Sequence, residues 1–217
     1  MDKQFDLIVW DWDGTLANST GMITDAIVQA AEQVGLPALD PTAASNIIGL
    51  GLKESIHALF GDIPADKAQA LAQQYTANYY AGESEIPLFT GAKATIIELN
   101  RRGYKLAVAT GKGRRGLNMA LEHCGLGKYF HETRTVDECL SKPHPQMLDE
   151  LMDVCVARPE RTLMIGDTSY DLQMANNAGV PALAVSFGAQ SHEQLLRYKP
   201  IEIFNQFNDL STWLLSR

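Results

Sequence analysis

The chain has 217 residues, 46% of them hydrophobic and 20% charged, and its 18 Lys+Arg against 26 Asp+Glu leave a net charge of −8. That composition supplies a globular core and argues against nucleic acid or an anionic membrane as the main partner, because both select basic surfaces. It leaves room for a small anionic ligand held by a few local donors and a metal ion. Cys124, Cys139 and Cys155 lie far apart with no CxxC spacing, which argues against a zinc site and predicts free thiols in a reducing cytoplasm. Met1-Asp2-Lys3 leads into an apolar run too short for a signal peptide, and no run approaches membrane-spanning length.

Residues 6–10 form a near-continuous apolar run, the pattern of a strand buried on both faces of a parallel sheet. Ile23, Ile27, Ala30, Ala31 and Val34 then recur at helical spacing, with Gly35 to close the helix. Short helices are predicted over residues 42–48 and 52–60. Pro64 opens a longer one with Ala68, Leu71, Ala72, Tyr75 and Tyr79 on one face. Between Leu16 and about Ile86 no strand is legible.

From Gly91 the pattern alternates regularly. A helix over 92–102, stopped by Gly103, leads to a strand over 105–110. A helix ending near Cys124-Gly125 precedes a weaker strand over 131–136. A helix over 145–155 runs through a loop with Pro159 into a strand over 162–167. A short helix over 172–178, closed by Gly179, precedes a strand over 181–186, a last strand over 201–204 and a terminal helix. This alternation predicts an α/β, Rossmann-like parallel sheet with helices on both faces. A parallel crossover needs only about a dozen residues. The much longer segment after the first strand is therefore read as an inserted all-helical cap: core over 1–15 and 87–217, cap over 16–86.

Ligands of such sheets bind beyond the carboxyl ends of the strands. The first strand ends in Asp11 and Asp13, which point to one side. The second ends in Thr110, followed by Gly111-Lys112-Gly113. A later loop carries Ser141-Lys142-Pro143, and another strand ends in Gly166-Asp167 with Asp171 one helical turn on. Singly, each has a bland explanation as a turn, a cap or a solvated side chain. Together the acids, a hydroxyl and a lysine converge on one sheet edge. Two aspartates flanking Trp12 repel each other and resist desolvation. Mg²⁺, which takes carboxylate, water and phosphate oxygens, offsets that repulsion when held by Asp11 and Asp167. Thr110 and Lys142 complete a phosphate cradle, with backbone N–H groups of the following helix as further donors. The set points to phosphoryl transfer.

In order and spacing, DWDGT at Asp11, the strand ending in Thr110, Lys142-Pro143 and GDTSYD from Gly166 resemble the haloacid dehalogenase superfamily of aspartyl-phosphate hydrolases. The resemblance covers essentially the whole chain, including the helical insertion. It is greatest to the phosphoglycolate phosphatase group, which shares the DGTL and KPHP wording. It implies that Asp11 is the nucleophile and Asp13 the general acid and base. Mg²⁺ is then held by Asp11, the main-chain carbonyl of Asp13 and Asp167, with Asp171 in support. Thr110, Gly111 and Lys142 hold the phosphoryl oxygens, and the insertion closes over a small phosphorylated metabolite. A monomer or weak homodimer is expected.

Two positions depart from the family pattern. Trp12 stands for phenylalanine or leucine, a matter of packing, and Gly111-Lys112 stands where many relatives carry asparagine or serine. Lys112 reads either as a lysine that reaches substrate or, in preference, as a surface lysine. Dehalogenases of this fold lack the second aspartate, Asp13. A phosphosugar mutase of the β-phosphoglucomutase type shares all the motifs and is the alternative. Receiver domains also use an aspartyl phosphate, but they are shorter and lack the insertion. Substrate choice is expected from the cap loop over residues 48–54, where Gly49 permits a tight turn and Lys53 meets either a second anionic group or solvent.

Overall fold

The apolar run at the start becomes β1 (Leu7–Trp10), buried along its whole length, in a computed structural model that describes residues 3–82 and 86–217. The chain then leaves the sheet through α1 (Thr20–Gln33), α2 (Pro41–Ser45), α3 (Leu52–Phe60) and α4 (Ala65–Gly82). It returns through α5 (Ala92–Arg101) to β2 (Lys105–Thr110), α6 (Arg114–Cys124), β3 (Glu132–Thr135) and α7 (Gln146–Cys155). The remainder is β4 (Thr162–Gly166), α8 (Ser169–Asn177), β5 (Ala182–Val185), α9 (His192–Leu196), β6 (Ile203–Phe204) and α10 (Phe207–Leu215).

The six strands form one parallel sheet in the order β3-β2-β1-β4-β5-β6. Leu7 lies opposite both Lys105 and Thr162, and Trp10 opposite both Val108 and Ile165. Alternate strand residues feed two cores. Ile8, Trp10, Leu106, Val108, Leu163 and Ile165 pack on one face, against α5 and α10. Leu7, Val9, Ala107, Ala109 and Met164 pack on the other, against α7 and α8. Burial on both faces is why these strands read as continuous apolar runs. Trp12 is buried in the first of these cores. The strand order reverses at β1, so the carboxyl ends of β2, β1 and β4 open onto one crevice.

The helices after β1 bury a core of their own: Ile27, Ala30, Ala31, Ala44, Ile56 and Leu71. Leu16 and Ala17, given to the insertion by the sequence, pack instead in the core of the sheet. There Ala17 bridges Leu88, and Phe89 N–H donates to the Leu16 carbonyl, so the two chain crossings run side by side. Residues 83–85, within the expected cap, and Met1 and Asp2, on which the leader expectation rests, lie outside the described residues. No helix of the described residues is long and apolar enough to cross a membrane. The three cysteines are free thiols.

Several boundaries differ from expectation. The second helix stops at Ser45, short of the expected 48, and the chain continues in i→i+3 turns, with Ile48 N–H donating to the Ser45 carbonyl and Leu50 N–H to that of Ile47. α8 begins three residues early because Thr168 and Asp171 form a capping box. The last strand is confined to Ile203–Phe204. α9 was not anticipated, since five residues are too few to show a helical period.

Candidate active site

The strand order brings Asp11, Thr110 and Asp167 to adjacent strand ends. β1 continues its pairing one residue further, with Asp11 N–H donating to the Ile165 carbonyl. Asp11, Lys142, Asp167 and Asp171 are all buried. Lys142 Nζ donates to Asp11 Oδ1 and to Asp171 Oδ1, each at 2.6 Å. Asp171 Oδ2 accepts from the Thr168 backbone N–H at 3.0 Å and its hydroxyl at 2.7 Å. The helix cap thus fixes the acid that fixes the lysine. Asp167 Oδ1 accepts from the Thr15 hydroxyl at 3.0 Å, and its Oδ2 from Ala189 N–H at 2.7 Å. The crowding requires glycine on both sides: a Cβ at Gly14 or Gly188 would stand 2.1 or 2.2 Å from Asp167 Oδ2.

Burial raises the Asp11 carboxyl to about 7; Lys142 opposes the shift, and Asp171 and Asp13 add to it. Burial, then Asp11 and Asp171, hold Asp167 well above the carboxylate range. Burial disfavours the Lys142 cation, but Asp11 and Asp171 outweigh it and raise its pKa, so it stays charged. Asp11, Asp167 and Asp171 each offer an oxygen within 4.8 Å of the others, and Asp11 Oδ2 has no hydrogen-bond partner. One lysine against three buried carboxylates leaves the cluster short of positive charge. An all-oxygen donor set of three crowded, buried carboxylates fits a hard divalent cation. Asp171 joins the cluster, with both its oxygens already hydrogen-bonded.

The Asp13 carboxylate lies outside the cluster. Its Oδ1 accepts from the Ser19 hydroxyl at 2.8 Å and faces Lys112 Nζ at 3.4 Å. Thr110 closes β2, and its hydroxyl accepts from the Lys112 backbone N–H at 3.1 Å. The surface reading of Lys112 is corrected here. Its side chain is 8% exposed, because α4 folds over it and sets the Tyr79 hydroxyl 2.5 Å from Nζ.

Gly111 sits where the two backbones meet: a Cβ there would lie 2.5 Å from the Gly49 carbonyl oxygen and 2.7 Å from that of Leu50. Gly49 itself lies over Thr168, and Gly51 N–H donates to the Ser141 hydroxyl at 2.9 Å. The loop after α2 is therefore pinned onto the loops that follow β2, β3 and β4. Lys53 is exposed and lines a separate shallow cavity with His57 and Asp62, away from the acids.

Thr15, Ser19, Tyr79, Thr168 and Gly188 were not singled out from the sequence. Thr168 carried a signal, since Thr-x-x-Asp before an apolar run is a capping pattern. Ser19 stands at the N-cap position of α1 but makes no side-chain cap bond; its hydroxyl turns to Asp13, which no local pattern foretells.

The sequence model of the haloacid dehalogenase-like hydrolases matches residues 8–185. The chain belongs to that family. It is 28% identical over 205 residues to pyrophosphatase PpaX of Bacillus mycoides (strain KBAB4), covering 94% of each chain. It is 33% identical over 215 residues to "Probable phosphatase IndB" of Dickeya dadantii (strain 3937), covering 94% of this chain and 91% of that one. A solved structure described as a predicted phosphoglycolate phosphatase from Haemophilus somnus superposes with a TM-score of 0.86 at 26% identity, over 98% and 99% of the two chains. As a member of the haloacid dehalogenase-like hydrolases the chain is an enzyme, and its acids, Thr110 and Lys142 all fall inside the matched span.

Proposed function

We propose that this haloacid dehalogenase-like hydrolase is a Mg²⁺-dependent phosphatase that hydrolyses a small phosphomonoester through an aspartyl phosphate. The carrying observation is the asymmetry of Asp11. Lys142 holds its Oδ1, while its Oδ2 has no partner, in a residue that lines the cavity under the cap. A fixed carboxylate with one uncommitted oxygen is a positioned nucleophile.

Asp11 Oδ2 attacks phosphorus and the bond to the leaving oxygen breaks. Asp13, oriented by Ser19, gives that oxygen its proton. Asp13 then takes a proton from the water that attacks the phosphorus, and the bond to Asp11 breaks, releasing phosphate. Thr110 and Lys142 hold the phosphoryl oxygens. Asp11, Asp167 and the main-chain carbonyl of Asp13 would hold Mg²⁺, with Asp171 supporting; when bound, the ion neutralises phosphate charge as a Lewis acid. Helices α1–α4, with the loop around Gly49, act as the cap that keeps bulk water out.

The test is hydrolysis of p-nitrophenyl phosphate with Mg²⁺, together with hydroxylamine trapping of an acyl phosphate. Asp11→Asn should lose both turnover and the trapped adduct. Turnover persisting in Asp11→Asn rules the reading out. Measuring free phosphate against isomerised sugar phosphate separates this activity from the mutase alternative.

A further inference from the structure

The cavity between cap and core measures about 250 Å³, at the small end for a ligand site, which typically spans about 300–1,000 Å³. Its floor is the catalytic edge of the sheet. Its opposite wall, where the part of the substrate beyond the phosphate must lie, is made of Ile23 and Ile27 from α1, Ile48, Leu52 at the start of α3 and Tyr75 from α4, while Val136 lines the cavity from the sheet side. The polar side-chain groups interspersed there are hydroxyls, those of Ser55, Thr76, Tyr75, Tyr79 and Tyr80.

Charge in the cavity runs against a second anion. Among the described residues that line it, Lys112 is the cation, and it already faces Asp13 and the Tyr79 hydroxyl. Asp13 and Asp137 lie on the same walls, and Asp137 is engaged in accepting from Arg114 N–H at 2.6 Å. Lys53, the residue expected to meet a second anionic group, lines another cavity. A carboxylate or second phosphate placed against this wall would lose its water without gaining a cation of its own. An apolar group placed there is favoured by the same burial.

We infer that the substrate's leaving group is an uncharged, predominantly apolar alcohol about the size of one ring, and not a carboxylate-bearing alcohol or a second phosphate. The inference rests on the phosphatase reading and narrows it. It also sets this chain apart from relatives named for pyrophosphate or phosphoglycolate.

The experiment compares benzyl phosphate, phosphoglycolate and pyrophosphate as substrates of the Mg²⁺-loaded enzyme. Benzyl and glycolate alkoxides are both poor leaving groups, so the ranking of the two esters reports on the pocket. Benzyl phosphate should exceed the other two in kcat/KM by about tenfold or more, the scale on which apolar pockets discriminate. Equal values or the reverse order overturn the inference.

A binding measurement separates this from the reaction. Benzylphosphonate should bind more tightly than phosphonoacetate by isothermal calorimetry, and the opposite order overturns the pocket assignment. The expected order combined with no phosphate release from any ester would sink the phosphatase reading while the assignment stands. Leu52→Arg, at a partly exposed position, should shift the benzyl phosphate to phosphoglycolate ratio about tenfold or more toward phosphoglycolate. An unchanged ratio in a folded variant shows that Leu52 does not face the leaving group and counts against the inference.

Discussion

Lys112 and Tyr79 join the loop after β2 to α4. The ammonium nitrogen stands 2.5 Å from the tyrosine hydroxyl and 4.2 Å from the ring centroid, and on its other side 3.4 Å from Asp13 Oδ1. One lysine thus touches both the proposed general acid and the helix that covers it.

If that bridge couples cap position to Asp13, removing it lowers catalysis without abolishing it. Hydrogen bonds to charged groups are worth about 1.5–3 kcal/mol, so Lys112→Ala should reduce kcat/KM by about tenfold to a hundredfold. Tyr79→Phe keeps the ring under the cation and should lose less. The double variant should lose less than the sum of the single effects in free energy. Strict additivity in that cycle means that the two residues act separately.

Asp13 is tested by its dependence on the leaving group. Acid catalysis is worth about 10² to 10⁴ and matters most for a poor leaving group. Asp13→Ala should still phosphorylate itself from p-nitrophenyl phosphate, but hydrolyse the aspartyl phosphate slowly for want of a base. Rapid mixing should show a burst approaching one p-nitrophenolate per enzyme, then a slow steady state, and almost no burst with an alkyl phosphate. Proportionate losses on both substrates without a burst contradict the assignment.

Burial sets a pH signature on the acid cluster. It raises the Asp11 carboxyl from 3.8 to about 7, against Lys142 and with Asp171 and Asp13, and it raises Asp167 as well. A carboxyl raised in the folded state binds its proton more tightly there than in the unfolded chain. The stability it contributes is therefore present below about pH 4 and is lost as pH rises through about 7. With EDTA, the melting temperature should fall between about pH 5 and pH 8. Added Mg²⁺ should raise it more at the higher pH, as expected of a ligand that binds the folded state and competes with protons. Scanning fluorimetry at both pH values checks this; an equal Mg²⁺ shift at the two contradicts it.

Gly188→Ala should disturb the proposed metal site from outside it. The new Cβ would lie 2.2 Å from Asp167 Oδ2 and 2.5 Å from the Gly14 carbonyl oxygen, so Asp167 or the backbone must move. The Mg²⁺ concentration needed for half-maximal activity should rise by about tenfold to a hundredfold, the usual scale for groups that orient a ligand. Circular dichroism should confirm a native fold, and an unchanged Mg²⁺ requirement means the loop absorbs the methyl group.

Lys53→Ala should leave the ranking of phosphomonoesters unchanged, because Lys53 is exposed beside His57 and Asp62 and does not line the catalytic cavity. A changed ranking would mean that α3 swings toward the substrate during turnover.

The parallel sheet, the run of helices after β1 and, apart from α9, the order of elements were legible because each rests on a local pattern. A strand buried on both faces is an unbroken apolar run, as in Leu7–Trp10 and Thr162–Gly166, and a strand end in such a sheet is where a polar residue can face a ligand. Asp11, Thr110 and Asp167 are therefore legible at strand ends, whereas Lys142 lies in the loop after β3 and is legible through its Lys-Pro motif. The environment of Lys112 did not, because a lysine in Gly-Lys-Gly has the same local signature in solvent and under a helix. Only the packing of α4 over the loop after β2 decides that it is buried.

The sequence by itself thus determined which side chains stand at the carboxyl ends of β1, β2 and β4, since strand periodicity and chain order carry that information locally. The tertiary structure alone decided what surrounds them. It set Gly188 against Asp167, closed Gly49 and Leu50 over Gly111, turned Ser19 toward Asp13, and sent Lys53 outward while Lys112 turned in. The physical reason is that most of these contacts join residues far apart in the chain, brought together by the strand order and by where the insertion docks, and the pattern of apolar residues along one segment does not specify its neighbours.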